Sequence, residues 1–514
     1  MRKQFYSLLF MTYLSATCMA ARILVLSPLG PRSHMHSFMP MVETLAEKGH
    51  QLTVVTPYAP KTEAPNIRKI TMDEMIDLVE LEWYDFKEHS LFDTMADFSP
   101  FVQLVMTTAY KRFVANKEIQ EIIQKKNYDI AIVDAIINDF CFPLVDHLGI
   151  PLILFDPGPG TIWNLEAKGV TQDYARIPPL IGTFSSQMTF FERVQNVVLN
   201  EGFLLFRKWY LLPVLDRLAK LDFPTARPIS EIERNAEICF ANIHPASSWT
   251  RSLPPTFIPV GAMHVRPAKP LPQDLQEFAD AAEHGLIVFT LGSNSRVSSM
   301  PVPIQETFLR VFSRLPQRII WKWEKDGLSQ IPDNVRLVDW LPQQDLLGHK
   351  NTRLFIAHGG IMGIQEAIYH QVPILGLPLG RDQYALLIRS SEEGYAIKLE
   401  WENLNEELLY ESIQKLLNQP SYKGNVTRMS SLMHNELMPS REVAAYWVEH
   451  VLLHGGTKHL QRKEMPFYQL YLLDVSLFLF VSLTLIMFAT YKTGASVFRR
   501  FINIPLFCRK VKIH

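Results

Sequence analysis

Short apolar runs rich in β-branched residues alternate with amphipathic segments along this 514-residue chain. In the first half the runs lie at 23–27, 52–56, 130–133, 152–155 and 238–242. In the second half they lie at 286–291, 318–323, 336–338, 353–357 and 373–377. Strands that are apolar on both faces belong to parallel sheets covered by helices. Segments 37–48 and 304–314 have helical spacing, so repeated strand–helix units predict an α/β doubly wound fold.

A proline-rich stretch separates the two groups of runs and suits a linker better than a regular element. Its prolines are Pro254, Pro255, Pro259, Pro267, Pro270 and Pro272. A chain of this length also exceeds what one hydrophobic core usually supports. We therefore predict two Rossmann-like domains that face each other across a cleft. The predicted segments are a signal peptide 1–20, an N-terminal domain 21–253, a linker 254–284, a C-terminal domain 285–440, a helical segment 441–469, a transmembrane helix 470–491 and a basic tail 492–514.

Both ends of the chain resemble targeting or membrane segments. Arg2 and Lys3 precede an apolar run at 5–17, and small residues at 18 and 20 suit signal-peptidase cleavage after Ala20. The alternative, a buried first helix, would lack caps and a polar face. Residues 475–491 carry no charge, and the apolar residues just before them extend the run towards the roughly 20 residues that a bilayer requires.

The charges that follow this apolar run predict its orientation. The basic residues are Lys492, Arg499, Arg500, Arg509, Lys510 and Lys512. Because positive residues favour the cytoplasmic side, the body of the protein is predicted to be lumenal, as in a type I single-pass protein. The last five residues, 510–514, resemble the Lys-x-Lys-x-x signal that returns membrane proteins to the endoplasmic reticulum. We therefore expect the protein in the endoplasmic reticulum membrane.

Charge and cysteine content exclude several classes of protein. With 51 basic and 52 acidic side chains the formal net charge is −1, so no global field attracts nucleic acid, and no nucleic-acid partner is expected. Cys18 and Cys508 fall in the predicted signal and tail, which leaves Cys141 and Cys239 in the body. Two cysteines cannot form a disulfide framework, and their apolar surroundings predict buried free thiols.

A glycine-rich turn follows the run at 353–357 and precedes a helical pattern. It reads His358-Gly359-Gly360-Ile-Met-Gly363 and continues to Glu366. Glycines let a phosphate approach the backbone, and the start of a helix offers free N–H groups and a positive dipole end. The alternative is a tight turn whose glycines are needed only for packing. The turn therefore predicts an anion site only in combination with its neighbours.

Polar residues also follow the strands on either side of this turn. Trp340 and Gln343 come after the run at 336–338 and offer an indole face and an amide suited to a pyrimidine base. Asp382 and Gln383 come after the run at 373–377 and suit sugar hydroxyls. In open α/β sheets ligands bind beyond the carboxyl ends of the strands. The three strand exits therefore indicate a site for base, phosphate and sugar in that order.

Residues 355–383, with the Trp340-Leu-Pro-Gln-Gln block ahead of them, resemble the signature of the UDP-glycosyltransferase family. The resemblance covers nearly the whole chain and is strongest to invertebrate members. It implies the GT-B fold, with an N-terminal domain that binds the acceptor and a C-terminal domain that binds the UDP-sugar.

The resemblance also implies roles for single residues. Trp340 and Gln343 would contact uracil, and Glu366 would contact the ribose hydroxyls. His358, Ser293 and the helix-start backbone around Gly360 and Gly363 would face the diphosphate. Asp382 and Gln383 would hold the transferred sugar. Two positions depart from the family pattern: Ala357 stands where Ser or Thr is common, and Met362 stands where many relatives have Asn or Ser.

His34 follows the first apolar run, and the resemblance makes it the general base. A histidine near neutral pKa can take the proton of an attacking hydroxyl. His36, nearby, is expected to line the acceptor pocket. Such a base needs a carboxylate to orient it. Asp134 at the end of the run at 130–133 is favoured, and Asp139 is the alternative. Either aspartate could instead cap a helix.

These residues predict an inverting transfer of a hexose from a UDP-sugar, the co-substrate, to a small lipophilic alcohol or phenol. Glucose is favoured over glucuronic acid. No Asp-x-Asp motif occurs in the sequence, so no metal and no other cofactor are expected. The alternative hypothesis is a catalytically weak protein of the same fold that binds a lipophile or a sugar nucleotide. A sugar-nucleotide epimerase would not need the signal peptide and span. The sequence leaves a homo-oligomer open.

Overall fold

The computed structural model describes residues 20–80, 91–292, 297–324, 328, 330–461 and 465–502, with only the backbone for 91–102, 467 and 500–502. Its chain forms two compact units, residues 1–459 and residues 460–514. The predicted signal peptide, except Ala20, and residues 503–514 of the predicted tail lie outside the described residues. Both remaining cysteines, Cys141 and Cys239, are free and buried, as predicted.

The first sheet lies in the N-terminal half of the first unit. Its strands are β1 Arg22–Leu26, β2 Gln51–Thr56, β3 Ile67–Thr71, β4 Ile130–Asp134, β5 Leu152–Asp156, β6 Ile238–Ala241 and β7 Phe257–Pro259. They are parallel and run in the order β3-β2-β1-β4-β5-β6-β7. The central strands β4 and β5 are buried along their whole length, because helices cover both faces of the sheet.

Helices of the N-terminal half are α1 Arg32–Glu47, α2 Ile76–Val79, α3 Leu91–Ala115, α4 Lys117–Lys125, α5 Phe142–Leu148, α6 Ile162–Ala167, α7 Phe190–Phe206, α8 Leu212–Asp222 and α9 Ile229–Arg234. A π-helical turn, Arg207–Leu211, joins α7 to α8, and 3₁₀ turns occupy Asp73–Met75 and Asp139–Cys141. Helix α1 begins at Arg32 and not near Ser37 as predicted, because Pro31 has an extended backbone suited to a helix start. His34 and His36 therefore both lie near the start of α1.

The second sheet lies in the C-terminal half of the same unit. Its strands are β8 Leu286–Thr290, β9 Arg318–Lys322, β10 Val335–Val338, β11 Thr352–Ala357, β12 Ile374–Gly376 and β13 Ala396–Lys398. They are parallel and run in the order β10-β9-β8-β11-β12-β13. The helices are α10 Gln273–Asp280, α11 Val302–Ser313, α12 Gln343–Leu347, α13 Ile361–Tyr369, α14 Gln383–Glu392, α15 Glu406–Asn418 and α16 Pro420–His434, with 3₁₀ turns at Val297–Ser299 and Trp401–Asn403.

All ten predicted strands are present, each within one residue of its predicted bounds. Sequence patterns missed β3, β7 and β13, which are short or lie at a sheet edge. Strand β3 (Ile-Arg-Lys-Ile-Thr) has two buried and three exposed side chains, and it lies at the edge of the sheet. Its charged residues break the continuous apolar run by which the other strands were found.

The predicted linker, residues 254–284, needs correction because it contains two regular elements. Strand β7 pairs with β6 and so completes the first sheet. Prolines are tolerated there because an edge strand needs no N–H on its outer side. Helix α10 buries Leu275 and Ala279 in the core of the second half. The segment without regular structure between the two halves is therefore shorter than the proline pattern predicts.

Helix α17, Ser440–His454, follows the second half but packs on the first. Its residues Ala444, Ala445, Val448 and Val451 are buried in one apolar cluster with the side chains of α1, β1 and β2. Glu449 adds a 3.1 Å ion pair with Lys48 at the end of α1. The segment 441–469, predicted only to lead to the membrane, thus begins with a helix that covers the first sheet.

The second unit contains α18 Phe467–Leu470 and α19 Leu473–Ile502. Residues Leu473–Arg499 of α19 have a mean hydropathy of 2.1 and at most two charged residues within an 18-residue window. By length and composition this is the one helix in the described ranges able to cross a membrane. It extends past the predicted span, 470–491, because the helical backbone continues into the first basic residues.

We expect Val448→Asp to lower the free energy of unfolding by about 3 kcal/mol or more, because it buries an unpaired carboxylate in the cluster that joins α17 to α1. The matched control is Tyr446→Asp, since Tyr446 lies on the exposed side of α17 and should tolerate the charge within about 0.5 kcal/mol. Thermal and denaturant unfolding would measure both. Equal effects of the two variants would contradict a structural role of α17 in the first half.

Candidate active site

Each sheet has one place where the winding of the chain changes direction. In the first sheet the strands build outward from β1 to β3 on one side and from β4 to β7 on the other, so β1 and β4 are neighbours. In the second sheet β8 and β11 are neighbours in the same way. Loops that leave such a pair diverge and open a crevice at the carboxyl ends of the strands. The residues that follow β1, β4, β8 and β11 are therefore the first candidates for a site.

His34 and Asp134 meet at the crevice of the first sheet. Asp134 ends β4, and His34 lies near the start of α1, just after β1. The Nδ1 atom of His34 is 2.8 Å from Oδ2 of Asp134, and the aspartate side chain is fully buried while 17% of the histidine side chain is exposed. The contact fixes the imidazole and leaves its Nε2 edge free of Asp134.

Asp134 is itself held in place by neighbours that the sequence patterns did not single out. The hydroxyl of Ser27 donates to Oδ2 at 2.7 Å, and the backbone N–H of Ile136 donates to Oδ1 at 3.0 Å. A Cβ atom on Gly30 would approach Ser27 Oγ to 1.9 Å, so this position requires glycine. A serine directly after a strand and three residues before a glycine was the available signal, but this pattern is common in turns.

Asp139, the alternative partner for His34, lies in a different cluster. It forms a short buried ion pair with Arg207, whose Nη1 also lies 2.8 Å from Glu233. Burial raises the pKa of the Glu233 carboxyl, and the Arg207 charge opposes this rise. The cluster ties the π-helical turn to α9 and to the 3₁₀ turn after β4. Of the two aspartates, the structure places only Asp134 beside His34.

His358 lies at the crevice of the second sheet, immediately after β11. A Cβ on Gly292 would approach its Cε1 atom to 2.6 Å, and a Cβ on Gly360 would approach its Nε2 atom to 2.7 Å. Two glycines therefore enclose the ring. Burial, with a smaller effect from the Lys322 charge, lowers the pKa of His358 to about 4. The imidazole is neutral at pH 7, and its buried Nδ1 has no hydrogen-bond partner among the described residues.

Lys322 is a site residue that the sequence reasoning missed. It is the last residue of β9, and its ammonium donates to the Gly292 carbonyl at 2.8 Å and to Glu324 at 2.9 Å. Its nitrogen also lies 6.0 Å from the centre of the Trp340 ring. Its position at a strand exit was a usable signal. It was not selected because the predicted strand, 318–323, already included it.

Glu366 and Gln343 form a polar pair beside Trp340. The amide of Gln343 donates to Glu366 at 2.5 Å, while 54% of Trp340 is exposed. Burial raises the pKa of the Glu366 carboxyl to about 7. A Cβ at Gly363 would lie 3.5 Å from the Gln343 amide, an ordinary contact distance, so this pair does not itself require glycine there.

His264, which comes from the predicted linker, joins the same corner of the site. Its Nε2–H donates to the Met362 carbonyl at 3.2 Å and lies 3.6 Å from Glu366 Oε1. Burial lowers its pKa to about 4, so the ring is neutral at pH 7.

Asp382 and Gln383 lie at the start of α14. The Gln383 side chain accepts a 2.7 Å hydrogen bond from the backbone N–H of Leu379, which holds the loop before the helix. Burial raises the pKa of Asp382, and the Arg381 charge opposes this rise. Asp382 from the second half and His34 from the first half border the same cavity.

A cavity of about 820 Å³ joins these groups. His34 borders it from the first half, and Trp340, Gln343, His358, Glu366, Asp382 and Gln383 border it from the second. Gly360, Gly363, Lys322 and Arg381 also contribute to its wall, as do the two unusual positions, Ala357 and Met362. Ser293 lies outside the described residues. The remaining wall, from the first half, is mostly apolar and includes Met106, Ile137, Trp163, Leu199, Phe203 and Phe206.

Solved structures similar to this chain show its fold. The calicheamicin glycosyltransferase CalG4 gives a TM-score of 0.60 at 15% identity and covers 84% of this chain and 98% of its own. Glycosyltransferase VinC, solved in complex with dTDP, gives a TM-score of 0.58 at 18% identity and covers 84% and 100%. At these identities the likeness shows the GT-B fold alone, in agreement with the two parallel sheets.

Sequence comparisons show the family. The family model described as UDP-glucoronosyl and UDP-glucosyl transferase matches residues 21–506. UDP-glycosyltransferase UGT5 of Dactylopius coccus is 30% identical and covers 98% of this chain and 97% of its own length. UDP-glucosyltransferase 2 of the same species is 32% identical, covering 91% and 92%. UDP-glucuronosyltransferase 2B9 of Macaca fascicularis is 29% identical, covering 91% and 92%. The chain therefore belongs to the UDP-glycosyltransferase family, whose members transfer a sugar from a UDP-sugar.

Proposed function

We propose that this protein transfers glucose from UDP-glucose to a hydroxyl group of a small lipophilic alcohol or phenol, with inversion at the anomeric carbon. The observation that carries the proposal is the His34–Asp134 pair, because His34 borders one cavity with the predicted donor residues of the second half. A direct displacement requires a base close to a bound sugar nucleotide. In this proposal the base comes from one half and the sugar-nucleotide site from the other.

In the proposed step His34 acts as general base. Its Nδ1–H donates to Asp134, so Nε2 carries the lone pair and takes the proton of the acceptor hydroxyl. The hydroxyl oxygen forms a bond to the anomeric carbon as the bond from that carbon to the UDP oxygen breaks. The proton ends on His34, whose positive charge Asp134 stabilises. Attack opposite the leaving group turns an α-linked donor into a β-glycoside.

The leaving diphosphate needs positive or polar partners. The proposal assigns this role to His358, to the backbone N–H groups at Gly360 and Gly363, and to Ser293. Lys322 supplies a cation at the same wall of the cavity. Preorganised donors of this kind stabilise charge as it develops. We propose that no metal ion takes part, on the basis of this donor set and the missing Asp-x-Asp motif.

The nucleoside and sugar would lie on either side of the diphosphate. The exposed face of Trp340 suits stacking by uracil, and the Gln343–Glu366 pair suits the uracil edge and ribose hydroxyls. Asp382 and Gln383 would hold the sugar. That the similar VinC was solved with dTDP supports a pyrimidine nucleoside diphosphate here.

Glucose is proposed as the transferred sugar because a relative that covers 91% of this chain is a UDP-glucosyltransferase. One observation favours a second donor, UDP-glucuronic acid. Arg381 borders the cavity next to Asp382, and its guanidinium could bind the carboxylate of a uronic acid. Relatives named UDP-glucuronosyltransferases agree with this second candidate.

We further propose a type I protein of the endoplasmic reticulum membrane with a lumenal catalytic body. The support is the apolar helix Leu473–Arg499 and the basic residues that follow residue 491. A body on the lumenal side would receive lipophilic acceptors that partition into the membrane. A homo-oligomer stays a proposal that rests on the family resemblance alone.

The full-length protein in detergent should transfer glucose from UDP-glucose to 1-naphthol, and chelation of divalent metals with EDTA should leave the rate unchanged within about twofold. Product mass identifies the sugar, and NMR identifies the anomeric configuration, expected to be β. UDP-glucuronic acid and UDP-galactose are tested beside it. A product from UDP-glucuronic acid alone would favour the second donor. UDP binding without any product would favour the weak binding protein.

His34→Ala should lower kcat by about 10²- to 10⁴-fold, the usual contribution of a general base, with an unchanged Kd for UDP by calorimetry. Asp134→Asn should also lower kcat strongly, because the amide no longer selects the correct tautomer. Asp139→Asn is the matched control and should lower thermal stability while leaving kcat of the folded enzyme within about threefold. A fall in kcat for Asp139→Asn as large as that for Asp134→Asn would contradict the assigned partner.

The free energy of unfolding of Glu366→Gln, relative to that of the wild type, should increase as the pH rises. The carboxyl has a pKa of 4.5 in the unfolded chain and about 7 when folded. Between these values the unfolded chain loses the proton first, so wild-type stability falls by about 3 kcal/mol from pH 4.5 to above pH 7. The uncharged variant has no such loss. Denaturant unfolding without donor at pH 4.5 and 8 measures the change.

The matched control for this experiment is Glu407→Gln, because Glu407 is exposed on α15. Its difference in free energy of unfolding from the wild type should stay constant within about 0.5 kcal/mol over the same pH range. The same constancy for Glu366→Gln would contradict the raised pKa.

A further inference from the structure

The acceptor side of the cavity contains one cation that no step of the proposed reaction uses. Arg251 lies in the loop between β6 and β7 and borders the cavity. Its guanidinium has no hydrogen bond or ion pair with any residue that the structure describes. A guanidinium carries five N–H donors, and partly buried ones are normally paired. A donor group of this kind beside a cavity indicates a ligand that carries an acceptor.

The electrostatic surroundings of Arg251 agree with an unfilled site. Burial lowers its pKa to about 10, and the charges of Asp156 and Asp173 oppose the fall, so the side chain stays cationic at pH 7. Both carboxylates already have other partners. Asp156 accepts hydrogen bonds from Gly158, Thr161 and Asn164, and Asp173 pairs with Arg176 at 3.0 Å.

Arg251 and His34 border the cavity from different parts of the first half. His34 contacts Asp134 at the end of β4, whereas Arg251 follows β6, and β5 lies between them. The wall that the first half contributes to the cavity is largely apolar and includes Ile137, Trp163 and Phe203.

We propose that Arg251 binds the carboxylate of an acceptor that carries its reacting hydroxyl at the far end of an apolar body. The chemical class is a hydroxylated lipophilic carboxylic acid, in which the hydroxyl faces His34 and the carboxylate faces Arg251. Charge-assisted, bidentate pairing is the contact that arginine makes best with a carboxylate. This inference rests on the proposed function for its reacting hydroxyl, and it adds a specificity-determining residue.

Steady-state kinetics with a matched pair of acceptors tests the inference. With UDP-glucose as donor, wild-type kcat/KM should be about tenfold or more higher for 10-hydroxydecanoate than for its methyl ester. Arg251→Met keeps the length of the side chain and removes its charge, so it should abolish this preference while changing the ester value less than about twofold. Arg251→Lys should restore part of the preference. Arg176→Met is the control, since Arg176 is exposed, and should retain it.

Two results would overturn the inference: a wild type without preference for the acid, or an Arg251→Met variant that loses activity equally with acid and ester. Calorimetry of 10-hydroxydecanoate with wild type and Arg251→Met separates the inference from the proposed function. If neither acceptor is glycosylated but only the wild type binds the acid, the proposed reaction is contradicted and the carboxylate-binding role of Arg251 is supported. If the ester is glycosylated and the acid binds equally to both proteins, the carboxylate-binding role of Arg251 is contradicted and the proposed reaction is supported.

Discussion

Parallel strands place all of their carboxyl ends, and the loops that follow them, along one edge of a sheet. The rest of this structure depends on that constraint. Each sheet has one pair of neighbouring strands from which the chain winds in opposite directions, β1 with β4 and β8 with β11. The loops that leave each pair diverge, so the space between them stays open. His34 and Asp134 occupy one opening, and His358 occupies the other.

Burial sets the charges in this opening. It lowers the pKa of His358 and His264 to about 4 and raises the pKa of Glu366 to about 7. Both histidines are therefore neutral hydrogen-bonding groups near pH 7, and Glu366 can change its charge there. The permanent positive charges at the donor wall are Lys322, Arg266 and Arg381. Burying unpaired charges costs free energy. Because this site has few fixed charges, it can bind a charged diphosphate without having to bury many charges of its own beforehand.

The acceptor side is organised differently. Its wall comes from helices and loops of the first half. Buried ion pairs behind the wall hold these elements in place. Asp139 and Glu233 pair with Arg207 at the π-helical turn, which fixes α7 and so the aromatic side chains that reach the cavity. Helix α17 returns from the second half to cover the first sheet. The two halves of the chain are consequently one folded unit and share one cavity.

Sequence patterns by themselves determined the two parallel sheets, ten of their strands and the strand exits that carry polar residues, because periodicity and strand ends are local properties of the chain. They also indicated His34, His358, Glu366 and Asp382 as site residues, and the family through its signature. The patterns did not predict edge strand β3 or the correct start of α1, because short, charged or proline-flanked segments have weak periodicity.

Only the tertiary structure decided which distant groups meet. It placed Asp134, not Asp139, beside His34, because β4 is a direct neighbour of β1 and the next turn points Asp139 towards Arg207. It brought His264 to Glu366, Lys322 to Gly292 and α17 back to the first sheet. These contacts join residues that are far apart in the sequence, so no local pattern could show them. That no residue in the described part of the chain pairs with the Arg251 guanidinium is visible only once its surroundings are known.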